Sequence, residues 1–175
     1  MKATQSVAGR LALTTRLLDI AQLGYAQWLF GNIYEAVVKI PERLSREAIS
    51  PDVRFDAGPA SVLGPGSPVR YYAPVAPVTL ASTVASVAAG WGAEGARRWL
   101  SIAAACSVSG VSLTAYLIRA VNMKVMFAPE PPSAVERDAR IRLWHRLNIV
   151  RIAAAAGAWF AANRAKQAIA TRLAE

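Results

Sequence analysis

The chain has 175 residues, enough for one domain, and 54% of them are apolar, which lies above the usual range for soluble proteins. Its formal net charge of +9 does not indicate a nucleic-acid-binding protein, because the basic residues are scattered over loops and helix ends without a recognition motif. The single cysteine, Cys106, excludes an internal disulfide and a cysteine-based metal site.

The apolar residues are concentrated in four blocks, at residues 17–38, 73–91, 99–118 and 147–162. At about 1.5 Å per helical residue, each block crosses most or all of a hydrocarbon core of roughly 30 Å. A soluble four-helix bundle is the alternative, but it should carry charges on every outer turn, and the second block has none. The pattern therefore predicts an integral, multi-pass protein of the cell inner or plasma membrane.

The predicted fold is all-α: a single domain, residues 1–175, forming an up-down bundle of four transmembrane helices. The helices are expected at about 17–39, 74–92, 98–126 and 133–172, with a long loop between the first two and an extended fourth helix. Basic residues that flank the blocks suit anionic lipid headgroups, so the lipid bilayer is the first expected partner.

The first predicted helix carries more polar residues than a lipid-facing helix tolerates. Five residues recur every three or four positions and share one face of the helix: Tyr25, Trp28, Asn32, Glu35 and Lys39. Because polar groups in lipid are costly, we expect this face to point into the bundle.

Pro41 is predicted to end the first helix, since proline disfavours helical geometry in the residue before it. The connection that follows, residues 41–72, begins with a stretch typical of a short surface helix and continues as a loop rich in Gly and Pro. A connection of this length between helices is often a lid or a docking surface, and a simple linker is the alternative.

The remaining helices have clear start signals. The second is predicted to begin near Pro74 or Pro77, since proline is tolerated in a first turn. The third carries several Ser and Thr hydroxyls, and the fourth is predicted to be capped by Ser133 with Glu136 as its capping-box partner.

Alternation of four helices brings polar and aromatic residues to one end of the bundle, beneath the 41–72 connection. These residues are Asn32, Glu35, Tyr71, Tyr72, Tyr116, Arg119, Asn122, His145, Asn148 and Arg151. Trp144, Asn148 and Arg151 share a face of the fourth helix, with His145 at its flank. We therefore expect a binding site at this end.

The chemistry expected at this end depends on a few ionisable groups. Arg151 lies about one turn inside an apolar block, where an unpaired charge costs about 2.5–3.5 kcal/mol, so we predict a contact with Glu35. His145, the only histidine, can exchange a proton near neutral pH. Alternatively, Arg119 and Arg151 extend to the headgroups, and His145 is an interfacial residue beside Trp144.

One histidine and one carboxylate fall short of the three or more protein ligands of a typical metal site, so we expect neither a protein-bound metal nor a cofactor.

Three stretches carry a resemblance to a known family: GNIYEAVVKIPERL, NMKVMF and ERDARIRLWHRLNIVRIAAA, with a W-x3-N-x2-R pattern at Trp144, Asn148 and Arg151. Together they resemble the anthrone oxygenase-like family of small four-helix membrane proteins, some of which are implicated in cofactor-independent oxygenation of anthrones to anthraquinones. The resemblance implies an apolar pocket for a flat aromatic molecule, a base, and direct reaction of a carbanion with dioxygen.

On this interpretation His145 is the base, Arg151 and Asn148 stabilise the enolate, and Glu35 completes the catalytic set. The residues expected to bind the hydrophobic ligand are Trp28, Asn32, Tyr116, Arg119, Asn122 and Trp144.

A function of another class remains open. The protein could be a noncatalytic membrane subunit that anchors a partner protein, or a homo-oligomer, through the small-residue faces of its second and third helices and its projecting fourth helix. A transporter is disfavoured, because four helices make a small scaffold and no internal repeat is visible.

Overall fold

The computed structural model describes residues 2–47, 63–64, 67–130 and 132–174, and these residues contain helices and no β-strand. The helices are α1 (Lys2–Val37), α2 (Ile40–Glu47), α3 (Pro68–Tyr72), α4 (Ala76–Gly90), α5 (Glu94–Leu117), a π-helix that continues α5 (Ile118–Met126), and α6 (Ala134–Ala174). The all-α prediction is confirmed.

The four long helices α1, α4, α5 and α6 pack side by side, with the most extensive contact between α5 and α6. Neighbours run antiparallel: near the start of α5, Gly95 faces Ala168 near the end of α6, whereas Gly110 faces Ala154 further back along α6. The end of α1 therefore lies level with the start of α4, the end of α5 and the middle of α6.

Glycine allows α1 and α4 to approach closely. A Cβ atom added at Gly24 of α1 would lie 1.8 Å from Oγ1 of Thr79 in α4, so only glycine fits at that crossing. The small-residue composition of the helices predicts this kind of close packing.

A buried hydroxyl cluster joins three helices at the centre of the bundle. Tyr25 of α1 is fully buried, and its hydroxyl hydrogen-bonds with Oγ1 of Thr83 in α4. Ser107 of α5 donates to the same tyrosine oxygen over 3.1 Å. The core of the bundle is thus polar in places, as the stripe along the first predicted helix indicates.

The outer surface of the bundle is rich in apolar side chains. Leu23 is 75% exposed, Val84 66% and Phe160 57%. Among the described residues, one helix, Glu94–Met126, has the length and apolar composition needed to cross a membrane, and Ala76–Gly90 is apolar but shorter. The polar and charged residues within α1 and α6 lower their hydropathy. Five of those that the structure describes are buried in the bundle: Thr14, Asn32, Glu35, Asn148 and Arg151.

Several helix boundaries differ from the sequence prediction. α1 begins at Lys2 rather than near residue 17, because residues 2–16 contain no proline and only one glycine to stop the helix. It ends at Val37, before Lys39, whose backbone φ of 54° breaks the helix. The prediction that Pro41 ends α1 is wrong. Pro41 lies in the first turn of α2, where proline is tolerated.

Two other predictions concern loops and caps. The predicted surface helix is present as α2, whereas most of the predicted irregular loop lies outside the described residues. Ser133 caps the fourth helix as predicted, because the Glu136 amide donates to its hydroxyl oxygen over 3.3 Å. The Glu136 carboxylate binds Arg140 instead of completing the predicted capping box.

Candidate functional site

An ion pair lies at the end of the bundle where α1 finishes. Nη1 of Arg151 in α6 is 3.8 Å from Oε2 of Glu35 in the last turn of α1, and the two residues are only 6% and 7% exposed. Both charges are thus held inside the protein, next to each other. The predicted contact between Glu35 and Arg151 is confirmed.

Buried amide side chains surround this ion pair. The side-chain amide of Asn148 donates to the backbone carbonyl of Asn32 over 2.9 Å, which ties α6 to α1. Within the described part of the chain, however, the Oδ1 atoms of Asn32, Asn122 and Asn148 and the Nε atom of Arg151 have no hydrogen-bond partner. Most buried polar atoms in folded proteins are satisfied, so these donors and acceptors are available to a bound water or ligand.

Tyr72, the last residue of α3, lies next to the ion pair. The Ser67 hydroxyl oxygen caps α3 by accepting from the Val69 amide, and Gln27 of α1 donates to the Tyr71 carbonyl over 2.9 Å. The Tyr72 hydroxyl is buried and interacts with Glu35 and Arg151 without reaching standard hydrogen-bond geometry with any described residue. Burial, followed by the negative charge of Glu35, raises the pKa of the Tyr72 phenol far above its usual value, so it stays protonated.

An open groove of about 430 Å³ runs over this end of the bundle. Its walls include the rings of Phe30, Tyr34, Tyr71 and Tyr72, and Glu35 lies among them. Its volume falls within the range of about 300–1,000 Å³ typical of small-molecule sites. We call this space the aromatic groove.

Two smaller, partly open spaces share lining residues with the groove. The inner cavity, about 90 Å³, lies between α1, α5 and α6 and includes Trp28, Asn32, Tyr72 and Arg151 in its lining. A smaller cavity of about 40 Å³ lies beside the π-helix and is lined by Glu35, Tyr72 and Arg151, together with Asn122 and Trp144. Tyr72 lines all three spaces, so its side chain borders the groove and both cavities.

The structure brings together only some of the predicted ligand-binding residues. Trp28 and Asn32 line the inner cavity, and Asn122 and Trp144 line the smaller one. Trp144 also packs against the apolar side of the π-helix.

Two predicted ligand-binding residues lie elsewhere. Tyr116 and Arg119, at the junction of α5 and the π-helix, are exposed and line none of the three spaces.

His145 lies outside the site that surrounds Glu35 and Arg151. Its Nε2 atom is 2.8 Å from Oε1 of Glu42 in α2, and its ring packs edge-on against Trp144. It lines neither cavity nor the aromatic groove. In this position His145 holds α2 against α6.

Some residues of the site were not among the sequence candidates. Phe30 and Tyr34 lie on a different face of α1 from the polar stripe, although their spacing of four residues places both rings on one side of the helix. The helix order predicts Tyr72 at this end of the bundle, but its sequence context assigns it no role in the site. Thr114 lines both cavities from the third predicted helix, where its hydroxyl resembled those of several other Ser and Thr residues.

The comparisons with known proteins give one match. No curated protein and no solved structure matches the chain. The family described as anthrone oxygenase matches residues 69–161, which is 93 of the 175 residues and more than half of the chain. The matched segment runs from α3 to the middle of α6 and includes Tyr72, Asn148 and Arg151. The chain belongs to the anthrone oxygenase family.

Proposed function

We propose that this protein is a membrane-embedded oxygenase that converts a flat, anthrone-type aromatic molecule to the corresponding quinone with dioxygen. The observation that carries this proposal is the aromatic groove with a buried, arginine-paired carboxylate among its walls. Membership of the anthrone oxygenase family supports the class of reaction.

The groove suits a flat aromatic ligand. Phe30, Tyr34, Tyr71 and Tyr72 offer ring faces and edges, and aromatic pairs gain about 0.5–1.5 kcal/mol beyond their buried area. The volume of the groove also fits a fused three-ring molecule, whereas the inner cavity is too small for one.

Glu35 is the base in this proposal. An anthrone carries a methylene group between two aromatic rings, and loss of one proton from it gives a carbanion whose charge extends to the ketone oxygen. The Glu35 carboxylate takes this proton, while the protonated Tyr72 hydroxyl donates to the developing oxyanion and the Arg151 charge stabilises it.

Dioxygen then completes the reaction. The carbanion passes one electron to dioxygen, and the resulting carbon radical and superoxide combine to form a carbon–oxygen bond. The peroxide takes back the proton that Glu35 holds. Loss of the second methylene proton and cleavage of the oxygen–oxygen bond release water and leave the quinone carbonyl, so anthrone and one dioxygen give anthraquinone and one water.

Glu35 is favoured over His145 as the base because of position. Glu35 lies in the wall of the groove, whereas His145 is engaged with Glu42 outside it. A base must lie within hydrogen-bond reach of the proton that it removes. His145 remains a positioning residue for α2 in this proposal.

The test measures turnover of an anthrone by purified Glu35→Gln protein, with oxygen consumption and quinone absorbance as the two readouts. We expect kcat to fall by about a hundredfold or more, the contribution typical of a general base. Glu94→Gln is the matched control, because Glu94 is an exposed carboxylate at the other end of the bundle.

Two outcomes would contradict the proposal. Full activity of Glu35→Gln combined with an inactive His145→Gln would assign the proton transfer to the histidine. A wild-type protein that consumes no dioxygen with any anthrone would favour the noncatalytic, partner-anchoring membrane subunit.

A further inference from the structure

We infer that the inner cavity is a dioxygen site, which holds the gas beside the aromatic substrate; this inference rests on the proposed oxygenase function. The cavity has a volume of about 90 Å³, well below the 300 Å³ or so at which small-molecule pockets begin. It is therefore too small for the aromatic substrate, but large enough for a diatomic gas.

Most of the cavity wall is apolar and built from small residues. Gly110 and Val111 of α5 face Ala154, Ala155 and Ala158 of α6 across it. Cavities lined by apolar groups stay dry and take up apolar guests such as xenon. Dioxygen is likewise small and apolar, so it is favoured over water in this part of the cavity.

The hydroxyl groups in the wall do not change this preference. The Ser107 hydroxyl lies 2.7 Å from the Ala103 carbonyl oxygen and 3.1 Å from the Tyr25 hydroxyl oxygen, and the Thr114 hydroxyl donates to the Gly110 carbonyl over 2.8 Å. Both hydroxyl groups thus have hydrogen-bond partners within the bundle and need none from a guest in the cavity.

The other end of the cavity is polar and lies next to the groove. Asn32 and Arg151 are 4% and 6% exposed, both line the cavity, and within the described residues Oδ1 of Asn32 and Nε of Arg151 have no hydrogen-bond partner. Tyr72 lines the cavity and the groove alike. A guest at this end would therefore be adjacent to a substrate in the groove.

This two-ended lining matches the change that dioxygen undergoes in the reaction. Neutral dioxygen suits the apolar end, and the superoxide formed when it accepts an electron from the substrate carbanion suits the end that holds the Arg151 guanidinium. Donors that face the place where charge develops stabilise the transition state. The same cavity can thus admit the gas and favour its reduction.

We expect dioxygen to enter the cavity from the lipid bilayer. Gly110, Val111 and Ala154 are partly exposed at the outer surface of the bundle, where α5 and α6 meet. Apolar gases partition into hydrocarbon, so a gap between small residues on this surface would draw dioxygen from the bilayer.

Gly110→Val is the variant that fills the cavity. Among the described residues, a Cβ atom at Gly110 would meet only the Ala154 Cβ, at 3.9 Å, so the added methyl groups have room to enter the space. Gly95→Val is the matched control on the same helix, because its Cβ would meet the Ala168 Cβ at 3.7 Å, away from the cavity. Val111→Ala enlarges the cavity.

Two measurements test the inference. Crystals pressurised with xenon should show xenon in the inner cavity of the wild-type and Gly95→Val proteins, more of it in Val111→Ala, and none in Gly110→Val. In steady-state turnover, Gly110→Val should raise the KM for dioxygen several-fold and leave the KM for the anthrone unchanged, while Gly95→Val changes neither.

The two measurements separate failure of this inference from failure of the proposed function. A wild-type cavity without xenon, or an unchanged KM for dioxygen in Gly110→Val, would overturn the dioxygen site even if anthrone is oxidised. An equal rise in Gly95→Val would also overturn it. Absence of any anthrone turnover would remove the proposed function, and xenon binding would then show only an apolar gas cavity and would overturn the assignment to dioxygen delivery.

Discussion

Glu35 and Arg151 face each other inside the bundle, and neither side chain has more than a tenth of its surface exposed. Arg151→Met should leave the Glu35 carboxylate buried without its counter-charge. Removing one partner of a buried ion pair typically costs about 3–5 kcal/mol. The double variant Glu35→Gln/Arg151→Met removes both charges, so it should recover most of the lost stability. Unfolding by SDS titration in mixed micelles measures Glu35→Gln, Arg151→Met and the double variant against wild type.

Arg119→Met is the control for this comparison. Arg119 is exposed, so its loss should change the free energy of unfolding by no more than about 0.5 kcal/mol. If the two single changes simply added in the double variant, the energetic coupling between Glu35 and Arg151 would be absent. The ion pair would then be a contact without consequence for stability.

The sequence predicts the Glu35–Arg151 contact but not the one between His145 and Glu42. A charge inside an apolar block needs a partner, and helical spacing places Glu35 at the right level. The His145 contact depends on the turn that brings α2 against α6, and Lys39 forms that turn with a positive φ. Lysine seldom adopts this conformation, so no local sequence pattern predicts the turn.

At the scale of helices, Gly24 determines how closely α1 and α4 approach. Gly24→Ala would place a methyl group 1.8 Å from the Thr79 hydroxyl oxygen, so the two helices must move apart. Overpacking of this kind costs about 1–3 kcal/mol. Gly9→Ala lies on the same helix with no atom of the described residues within 4 Å of its Cβ, and should stabilise the protein by up to about 1 kcal/mol. The midpoint of thermal unfolding in detergent should therefore fall for Gly24→Ala and rise for Gly9→Ala. A Gly24→Ala protein as stable as wild type would contradict the close crossing.

The order of the long helices can be predicted from the apolar blocks, whereas their ends cannot. The polar N-terminal segment is predicted to precede the first helix because its hydropathy is low. Low hydropathy, however, does not stop a helix that lacks proline. The π-helix (Ile118–Met126) is also absent from the prediction, because a hydrophobic period does not distinguish this hydrogen-bonding pattern from an α-helix. The π-helix contains Asn122, which lines the smaller cavity, and this agrees with the tendency of π-helices to occur at functional sites.

For the whole molecule, the distribution of charge supports the proposed membrane position. No charged residue occurs at 20–34 in α1, 76–90 in α4, 99–118 in α5 or 152–163 in α6. The segment of α5 alone extends about 30 Å, the thickness of a hydrocarbon core. Across this band large apolar side chains such as Leu23 and Val84 face outward, an arrangement that suits lipid and would be costly in water. The polar groups buried within the band include the Asn32 amide and the Thr83 and Ser107 hydroxyls.

Single reporter cysteines in a Cys106→Ala background test this position directly. In sealed vesicles, a membrane-impermeant maleimide should label Arg142→Cys from one side only and Arg172→Cys from the opposite side, because α6 extends beyond the charge-free band at both ends. Val108→Cys and Phe160→Cys replace side chains that are 61% and 57% exposed within the band. These two should stay unlabelled until detergent is added, since the reactive thiolate forms only where water is present. Labelling of both ends of α6 from the same side would mean that α6 does not span the bilayer, and the apolar outer surface would then have to be covered by another protein.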